Sequence, residues 1–417
     1  MPLAVDVREA HRRLLLDLTQ IPTAAGKEQR VVRFITDWVK RRPAMHLTTD
    51  ASGNLHVSLD AGLPPARDYN RGASGRESER SRPIYFTAHL DHPAFVVERI
   101  VAPGVVELSF RGGVMDDYFV NARVVVVDAS DQRHAGTLKG KAEAAAVGGR
   151  ASPFTHYTCE LHDGKAAASI AVGDVCVWDL PAAEVTDGIV YTNACDDLAA
   201  AAAALAAFEV LATHGPGERH DVRLLFTRAE EIGFIGAIAA TRDATMPRNA
   251  RVIALENSRS FPHDSPINGG PIVRVGDRIS VFSPSLTDAI AKRAEEIAGG
   301  PASPTASQKN SALPMWKWQR KLMAGGACEA SVFCAAGYEA TCVCLPLGNY
   351  HNMGDLTAVQ AGTNTRPATI EREFIGLADY EGLVDLLIAC GTSLGSGGGM
   401  HTLVEKLWNE RQFVLSR

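Results

Sequence analysis

The sequence predicts an α/β fold, a mostly parallel central sheet with flanking helices, into which a small β-barrel is inserted. Three observations carry this. Apolar runs at Ile84-Tyr85-Phe86, Leu224-Leu225-Phe226, Val252-Ile253-Ala254-Leu255 and Cys342-Val343-Cys344-Leu345 recur with helical segments between them. That alternation suits helices packed on a parallel sheet. Over residues 93–190 the texture changes to short β-branched runs, Val124-Val125-Val126-Val127 and Val175-Cys176-Val177-Trp178, punctuated by Gly and Asp, as in a small barrel or sandwich. Finally, 417 residues with 46% hydrophobic content can fill two cores.

In chain order, residues 1–92 and 188–417 form the α/β domain, with 394–417 as an extra tail, and residues 93–187 form the insert. Residues 1–42 place Leu14, Leu15, Leu18, Val31, Val32, Phe34, Ile35, Trp38 and Val39 among charges, a helical rather than a secretory pattern. Residues 54–59 alternate as a strand does. Residues 64–82, dense in Arg, Ser, Gly and Pro, predict an exposed loop. The next strand, over residues 83–88, runs straight into His89-Leu90-Asp91. Residues 196–213 are Ala-rich and open with acids, which suits a helix and its positive end. Gly391-Thr392-Ser393-Leu394-Gly395 fits the serine-nucleophile pattern, but it lacks the preceding strand and a triad acid between it and His401, so it reads as a hinge. In the tail, Leu403, Val404, Leu407 and Trp408 form a helical stripe, expected to dock on its own domain ahead of a subunit contact. Trp316 and Trp318 fit either a loop or the mouth of a site.

Composition excludes several classes. A net charge of −6 with scattered Lys and Arg argues against nucleic acid as a partner. No apolar run reaches the length of a bilayer span, so the expectation is a soluble cytoplasmic protein that does not engage membranes. The 8 cysteines include no Cys-x-x-Cys pair; Cys342 and Cys344 share one strand face and read as buried hydrophobes.

Acids and histidines stand beside the apolar runs: His89 with Asp91, Asp196 with Asp197, Glu230 with Glu231, Glu256, and His351. A parallel α/β sheet gathers the carboxyl ends of its strands along one edge, where ligands bind, so these distant residues are expected to converge. Charge at the end of a buried strand is costly unless something binds it. Imidazole and carboxylate oxygens suit Zn²⁺ and similar ions, and a pair of ions needs a bridging carboxylate. The acid of His89-x-Asp91 can take the proton of the ring nitrogen left free, fixing the tautomer. Of Glu230 and Glu231, one can bind metal while the other accepts a proton from water.

The order of these pieces, with a β-rich insert between the first and second, resembles the tetrahedral and glutamyl aminopeptidases, family 42 of the metallopeptidases. The likeness runs from Leu14 to about Thr392. It rests on Thr87-Ala88-His89-Leu90-Asp91, Val172-Gly173-Asp174, Ala194-Cys195-Asp196-Asp197, the acid pair followed by Gly233 and Gly236, and Pro346-Leu347-Gly348-Asn349-Tyr350-His351. The resemblance implies a zinc-exopeptidase-like fold and two divalent ions, with zinc expected and cobalt or manganese tolerated by such ligands. It implies His89, Asp196 and Glu256 on one ion and Asp196, Glu231 and His351 on the other, Asp196 bridging. Glu230 would be the general base acting on a water held between the metals, and Asp91 would orient His89. The implied substrate is a peptide cleaved after its first residue, and the implied assembly a homo-oligomer. An amidohydrolase or deacylase with the same metals and a catalytically silent homologue are the alternatives. Leu198, His92-Pro93, Glu256, Glu329 and Asn352-Met353-Gly354 depart from the family pattern.

Overall fold

Four parallel strands at the centre of an eight-stranded sheet carry most of the chemistry-bearing residues. In the computed structural model, residues 3–59, 82–143, 152–164, 168–215, 217–302, 316–395, 397 and 399–415 are described. The strand order is β1 (His46–Thr49), β2 (Leu55–Ser58), β12 (Val222–Thr227), β3 (Ile84–His89), β13 (Arg251–Arg259), β16 (Glu339–Leu347), β14 (Ile272–Asp277), β15 (Gln319–Met323). The pairings β12–β3, β3–β13 and β13–β16 are parallel. These strands are buried along nearly their whole length, which is why they read as continuous apolar runs rather than alternating ones. The margins are mixed: β1, β2 and β12 pair antiparallel, and β14 is antiparallel to β16 but parallel to β15. Of these, β15 carries Arg320 and Lys321 at exposed or half-exposed positions on the sheet's edge, where charge discourages further pairing.

The helical pattern at the start of the chain resolves into α1 (Val5–Leu18) and α2 (Gln29–Lys40). The Ala-rich segment is α3 (Leu198–Leu211); every residue from Leu198 to Phe208 is buried. A helix apolar all round belongs inside a protein, and α3 lies between the sheet, α1 and α8 (Leu377–Thr392). On this face α5 (Pro284–Ala298) adds Leu286 and Ile290 to the core. The opposite face is covered by α4 (Ile235–Arg242) and α6 (Glu329–Ala335), with Ala237 and Phe333 packed on Tyr85 and Leu225. A short α7 (Leu356–Ala361) follows the loop after β16.

Between β3 and α3 the chain forms a closed six-stranded barrel, ordered β4 (Ala94–Ala102), β5 (Val105–Arg111), β8 (Thr155–Leu161), β7 (Arg133–Ala142), β6 (Arg123–Val127), β9 (Val175–Trp178). Its core is aromatic: Phe119 stacks on Tyr157 at 4.4 Å, and Phe95 meets Trp178 edge-on at 4.8 Å. A separate antiparallel sheet joins β10 (Glu184–Thr186), β11 (Ile189–Thr192) and β17 (Glu373–Gly376).

Several expectations meet the structure here. All 8 cysteines are free, and all but the half-buried Cys334 are buried. Trp318 is buried and donates to the Gly300 carbonyl, so it belongs to the core rather than to a site mouth. Ser393 follows α8 directly instead of a strand, which removes the nucleophile geometry. The tail helix α9 (Gly399–Arg411) is tied at its start, where the Gly399 N–H donates to Asp288, yet Leu403, Val404, Leu407 and Trp408 are 36–53% exposed. Docking of that stripe on its own domain is therefore not what the structure has. The loop expected over residues 64–82 falls, apart from Arg82, outside the described residues. Among the described residues no helix is long and apolar enough to cross a membrane.

Candidate active site

The carboxyl ends of four neighbouring strands meet at one place. Strand β3 ends at His89, with Asp91 two residues beyond; β12 leads into Glu230 and Glu231; Glu256 lies within β13 rather than after it; and His351 sits in a 3₁₀ turn, Tyr350–Asn352, beyond β16. Asp196 arrives differently. It follows β11 of the small sheet and precedes α3, so it hangs over the edge of the central sheet instead of extending one of its strands.

Asp196 stands between the two histidines. Its Oδ1 lies 3.3 Å from His89 Nε2 and its Oδ2 lies 3.5 Å from His351 Nε2. Glu231 Oε2 is 3.6 Å from His351 Nε2, and Glu230 Oε2 is 3.8 Å from His89 Nε2. Among the described residues, three sets have ligand-type atoms all within 4.8 Å of one another: His89 with Asp196 and Glu256, Asp196 with Glu231 and His351, and His89 with Glu230 and Glu231. Six of the seven sequence-predicted residues fall in these sets, and the seventh, Asp91, lies against His89 from behind.

The side chains are fixed from behind. His89 Nδ1 lies 3.1 Å from the Asp91 main-chain carbonyl and 3.5 Å from its carboxylate. That carboxylate instead accepts the Glu230 and Glu231 N–H groups at 2.9 and 3.0 Å, gripping the loop that carries both glutamates. Beyond it, Gly236 at the start of α4 packs against the Arg228 main chain so closely that any Cβ would collide. His351 Nδ1 finds the carbonyl of Gly113 at 2.6 Å, reached from the barrel. Gly112, at φ +144°, allows this approach, since a Cβ there would stand 2.6 Å from Pro93 Cβ. Asn257 donates to the Cys195 carbonyl and to Asp197, whose other oxygen accepts the His89 N–H. His92 sits between the Asp196 carbonyl and Asn352. Glu373 accepts N–H bonds from Cys195, Asp196 and His351.

Sequence reasoning missed Gly113, Asn257 and Glu373. Gly112-Gly113 is a turn signal without a partner in the sequence, and Glu373 opens a strand of only four residues, too short to show a pattern.

Electrostatically the site is short of positive charge. Burial pushes the Glu230 carboxyl up to about 8, helped by Asp91, Glu329 and Asp196 and opposed by His89. Burial and the neighbouring Asp196 and Glu230 likewise push Glu231 and Glu256 well up. Burial takes Glu329 to about 7. Burial would lower His89, but Glu230, Asp196 and Asp91 outweigh it and raise it. Asp196 is the exception: burial pushes it up, yet His351 and His89 hold it well below the usual carboxylate range. Meanwhile Asp196 Oδ1 and Glu231 Oε1 are buried without a hydrogen-bond partner among the described residues, an expensive condition for carboxylate oxygens. Crowded acids, orphaned oxygens and two imidazoles are what divalent cations satisfy, so the residues present fit such ions.

The model of the M42 glutamyl aminopeptidases matches residues 72–298, more than half of the chain. The chain belongs to this family. Membership makes it a peptide hydrolase and implies use of a divalent metal. No curated protein sequence matches it. Among solved structures it is similar to a TET aminopeptidase from the marine sediment archaeon Thaumarchaeota archaeon SCGC AB-539-E09, with 18% identity over 93% of this chain and 97% of that one and a TM-score of 0.68. It is also similar to an aminopeptidase from Desulfurococcus kamchatkensis, with 20% identity over 92% and 95% and a TM-score of 0.66. The TET1 peptidase of Pyrococcus horikoshii shares 20% identity over 92% of this chain and all of that one, with a TM-score of 0.65. At such identities the likeness establishes the fold. The family's departures also have a place: Leu198 is a core residue of α3, and Glu329 opens α6 beside the site, buried.

Proposed function

We propose that this chain is an aminopeptidase working with two divalent ions, zinc first among them, and with Glu230 as its general base. The observation that carries the reading is Asp196, whose two oxygens face His89 and His351 separately, as a bridging carboxylate must. His89, Asp196 and Glu256 would hold one ion, and Asp196, Glu231 and His351 the other. This partition uses two of the three candidate sets and leaves Glu230, which appears only in the third, free to move protons. When bound, the ions supply Lewis-acid polarisation of the scissile carbonyl and of water.

The chain's own residues do the rest. Asp91 holds the Glu230-Glu231 main chain, so the base and the ligand keep a fixed spacing. Positive charge among the ligands offsets the crowding that raises Glu230, leaving it ionised to take a proton from the attacking water and return it to the leaving amine. The carbonyls of Asp91 and Gly113 fix the tautomers of His89 and His351, presenting Nε2 of each to the site. In this reading residues 1–92 and 188–417 carry the chemistry, and the insert, residues 93–187, completes it through Gly113. The Pyrococcus horikoshii peptidase assembles into a tetrahedron or a large octahedral shell, and a closed homo-oligomer is the corresponding proposal for this chain.

Beside Glu256 and Tyr350 opens a cavity of about 360 Å³, lined in part by Phe261, Met323, Arg259 and Arg274. Arg274 is buried; it donates to Cys344 Sγ and the Leu322 carbonyl, while Arg259 donates to Gln360 and Thr357. Neither guanidinium has a carboxylate partner among the described residues. Asp264 lines the cavity too but is paired with Lys321 at 3.2 Å, so the two guanidiniums favour an N-terminal residue with an acidic side chain. A panel of aminoacyl anilides beside N-acyl amino acids, run with metal analysis, tests the proposal. Cleavage confined to free-amine substrates, led by glutamyl and aspartyl, is expected with two metal equivalents; cleavage of the N-acyl compounds alone would overturn it. Arg274→Met should lower the glutamyl-to-leucyl ratio of kcat/KM by about 10- to 100-fold, as for a lost charged hydrogen bond.

A further inference from the structure

Glu373 is a fully buried carboxylate that belongs to none of the three candidate ligand sets. It opens β17, pairing in register with Thr192 of β11. One oxygen, Oε2, accepts the N–H groups of Cys195 and Asp196 at 2.6 and 3.1 Å; the other, Oε1, accepts that of His351 at 2.8 Å. A single side chain thus ties together the main chains of two segments, residues 195–196 and residue 351, that approach from unrelated parts of the sequence. None of the three donors lies in a strand of the central sheet, so no ladder fixes them.

The loop around His351 needs such a tie. Asn349, His351 and Asn352 all have left-handed backbones, with φ of 49°, 55° and 63°, and each such non-glycine residue costs on the order of 1 kcal/mol or more. A loop of this kind persists only when its surroundings over-determine it. Next to Glu373, Phe374 and Gly348 exchange main-chain hydrogen bonds at 2.9 and 3.2 Å, clamping β17 to the same loop from the other side.

We propose that Glu373 is a positioning residue: it sets the spacing between Asp196 and His351, and through it the affinity of the cation site those two residues share with Glu231. The inference rests on the two-ion reading above. Its effect falls chiefly on that site, because His89 and Glu256 receive no bond from Glu373. Glutamine keeps the shape but turns an NH₂ group toward one set of donors; alanine removes both acceptors.

The full-length wild type, Glu373→Gln and Glu373→Ala, each stripped of metal, would be titrated with Zn²⁺ by calorimetry, with circular dichroism as the check on folding. Two equivalents are expected on the wild type. In folded Glu373→Ala one of the two should bind about 10- to 100-fold more weakly, the usual scale for losing a group that orients a ligand, and Glu373→Gln should fall between. Raising Zn²⁺ should restore most of the turnover of Glu373→Gln with little change in KM, which a general loss of stability would not produce. If Glu373→Ala does not fold, Glu373→Gln decides alone. Wild-type affinity at both sites in a folded variant overturns the role of Glu373 and leaves the two-ion reading standing. A wild type that binds fewer than two equivalents overturns that reading, and this inference with it.

Discussion

The barrel and the edge of the central sheet bury charge in opposite ways. In the barrel, burial would raise the carboxyl of Glu107, but His156 and Arg99 pull it below its ordinary value, with contacts of 2.7 and 2.5 Å. Asp128 is likewise held down to about 2, by His134 first. Glu107 and Asp128 each have a basic partner of their own. At the sheet edge Glu230, Glu231, Glu256 and Glu329 crowd together and are all pushed up, with His89 and His351 as the nearest compensation. A region optimised for its own stability would not assemble acids in this way. The contrast marks the edge as a site completed by something outside the chain.

The largest effect expected from breaking this contrast is on turnover. Glu230→Gln removes the proposed base while keeping the shape, so on the two-ion reading kcat should fall by about 10² to 10⁴ with both metal equivalents retained. Steady-state kinetics and metal analysis on one preparation check this, and undiminished turnover would remove Glu230 from the mechanism. In the barrel the corresponding loss is of stability. Trp178 is buried against Phe95, Phe110 and Phe119, and Trp178→Ala should cost about 3–5 kcal/mol, read from denaturant unfolding. Loss of metal without loss of stability in that variant would mean that the two regions are not built on different principles.

How much of this was readable from the residues follows from the same contrast. The four central strands were visible because both their faces are buried, leaving uninterrupted apolar runs. The acids of the proposed site were visible because charge at the end of such a run has no cheap explanation. Asp196 was found by its neighbours and order, but its route was not: β11, which carries it in, is four residues long and only half buried. Glu373 and Gly113 were invisible for a related reason. Their contributions come from where the fold brings them, and neither stands beside an apolar run. Strands β14 and β15 escaped because Arg274, Asp277, Arg320 and Lys321 interrupt the pattern. The tail stripe misled because its periodicity records an apolar face and not what covers it.

A smaller effect sharpens the comparison most, because the two regions should answer pH with opposite signs. Without metal, Glu230 titrates at about 8 in the fold against an ordinary value of 4.5. A carboxyl raised by folding stabilises the fold fully below its ordinary value and loses that contribution as pH climbs through the folded one. Metal-free protein should therefore weaken at the sheet edge between about pH 4.5 and 8, to which the raised Glu231 and Glu256 add. Asp128, lowered to about 2, contributes above its ordinary value of 3.8 and loses that contribution only as pH falls toward 2. Between pH 5 and 8 both Asp128 and Glu107 of the barrel stay ionised. Hydrogen exchange separates the regions: protection of β3, β12 and β13 should fall across that range further than that of β5 to β8. Adding Zn²⁺ should reverse the trend at the edge, since its ligands bind deprotonated and affinity grows with pH. Equal protection of the metal-free edge at pH 5 and pH 8 would mean that its carboxylates are not held at the cost argued here, and that the need for a cation lies elsewhere.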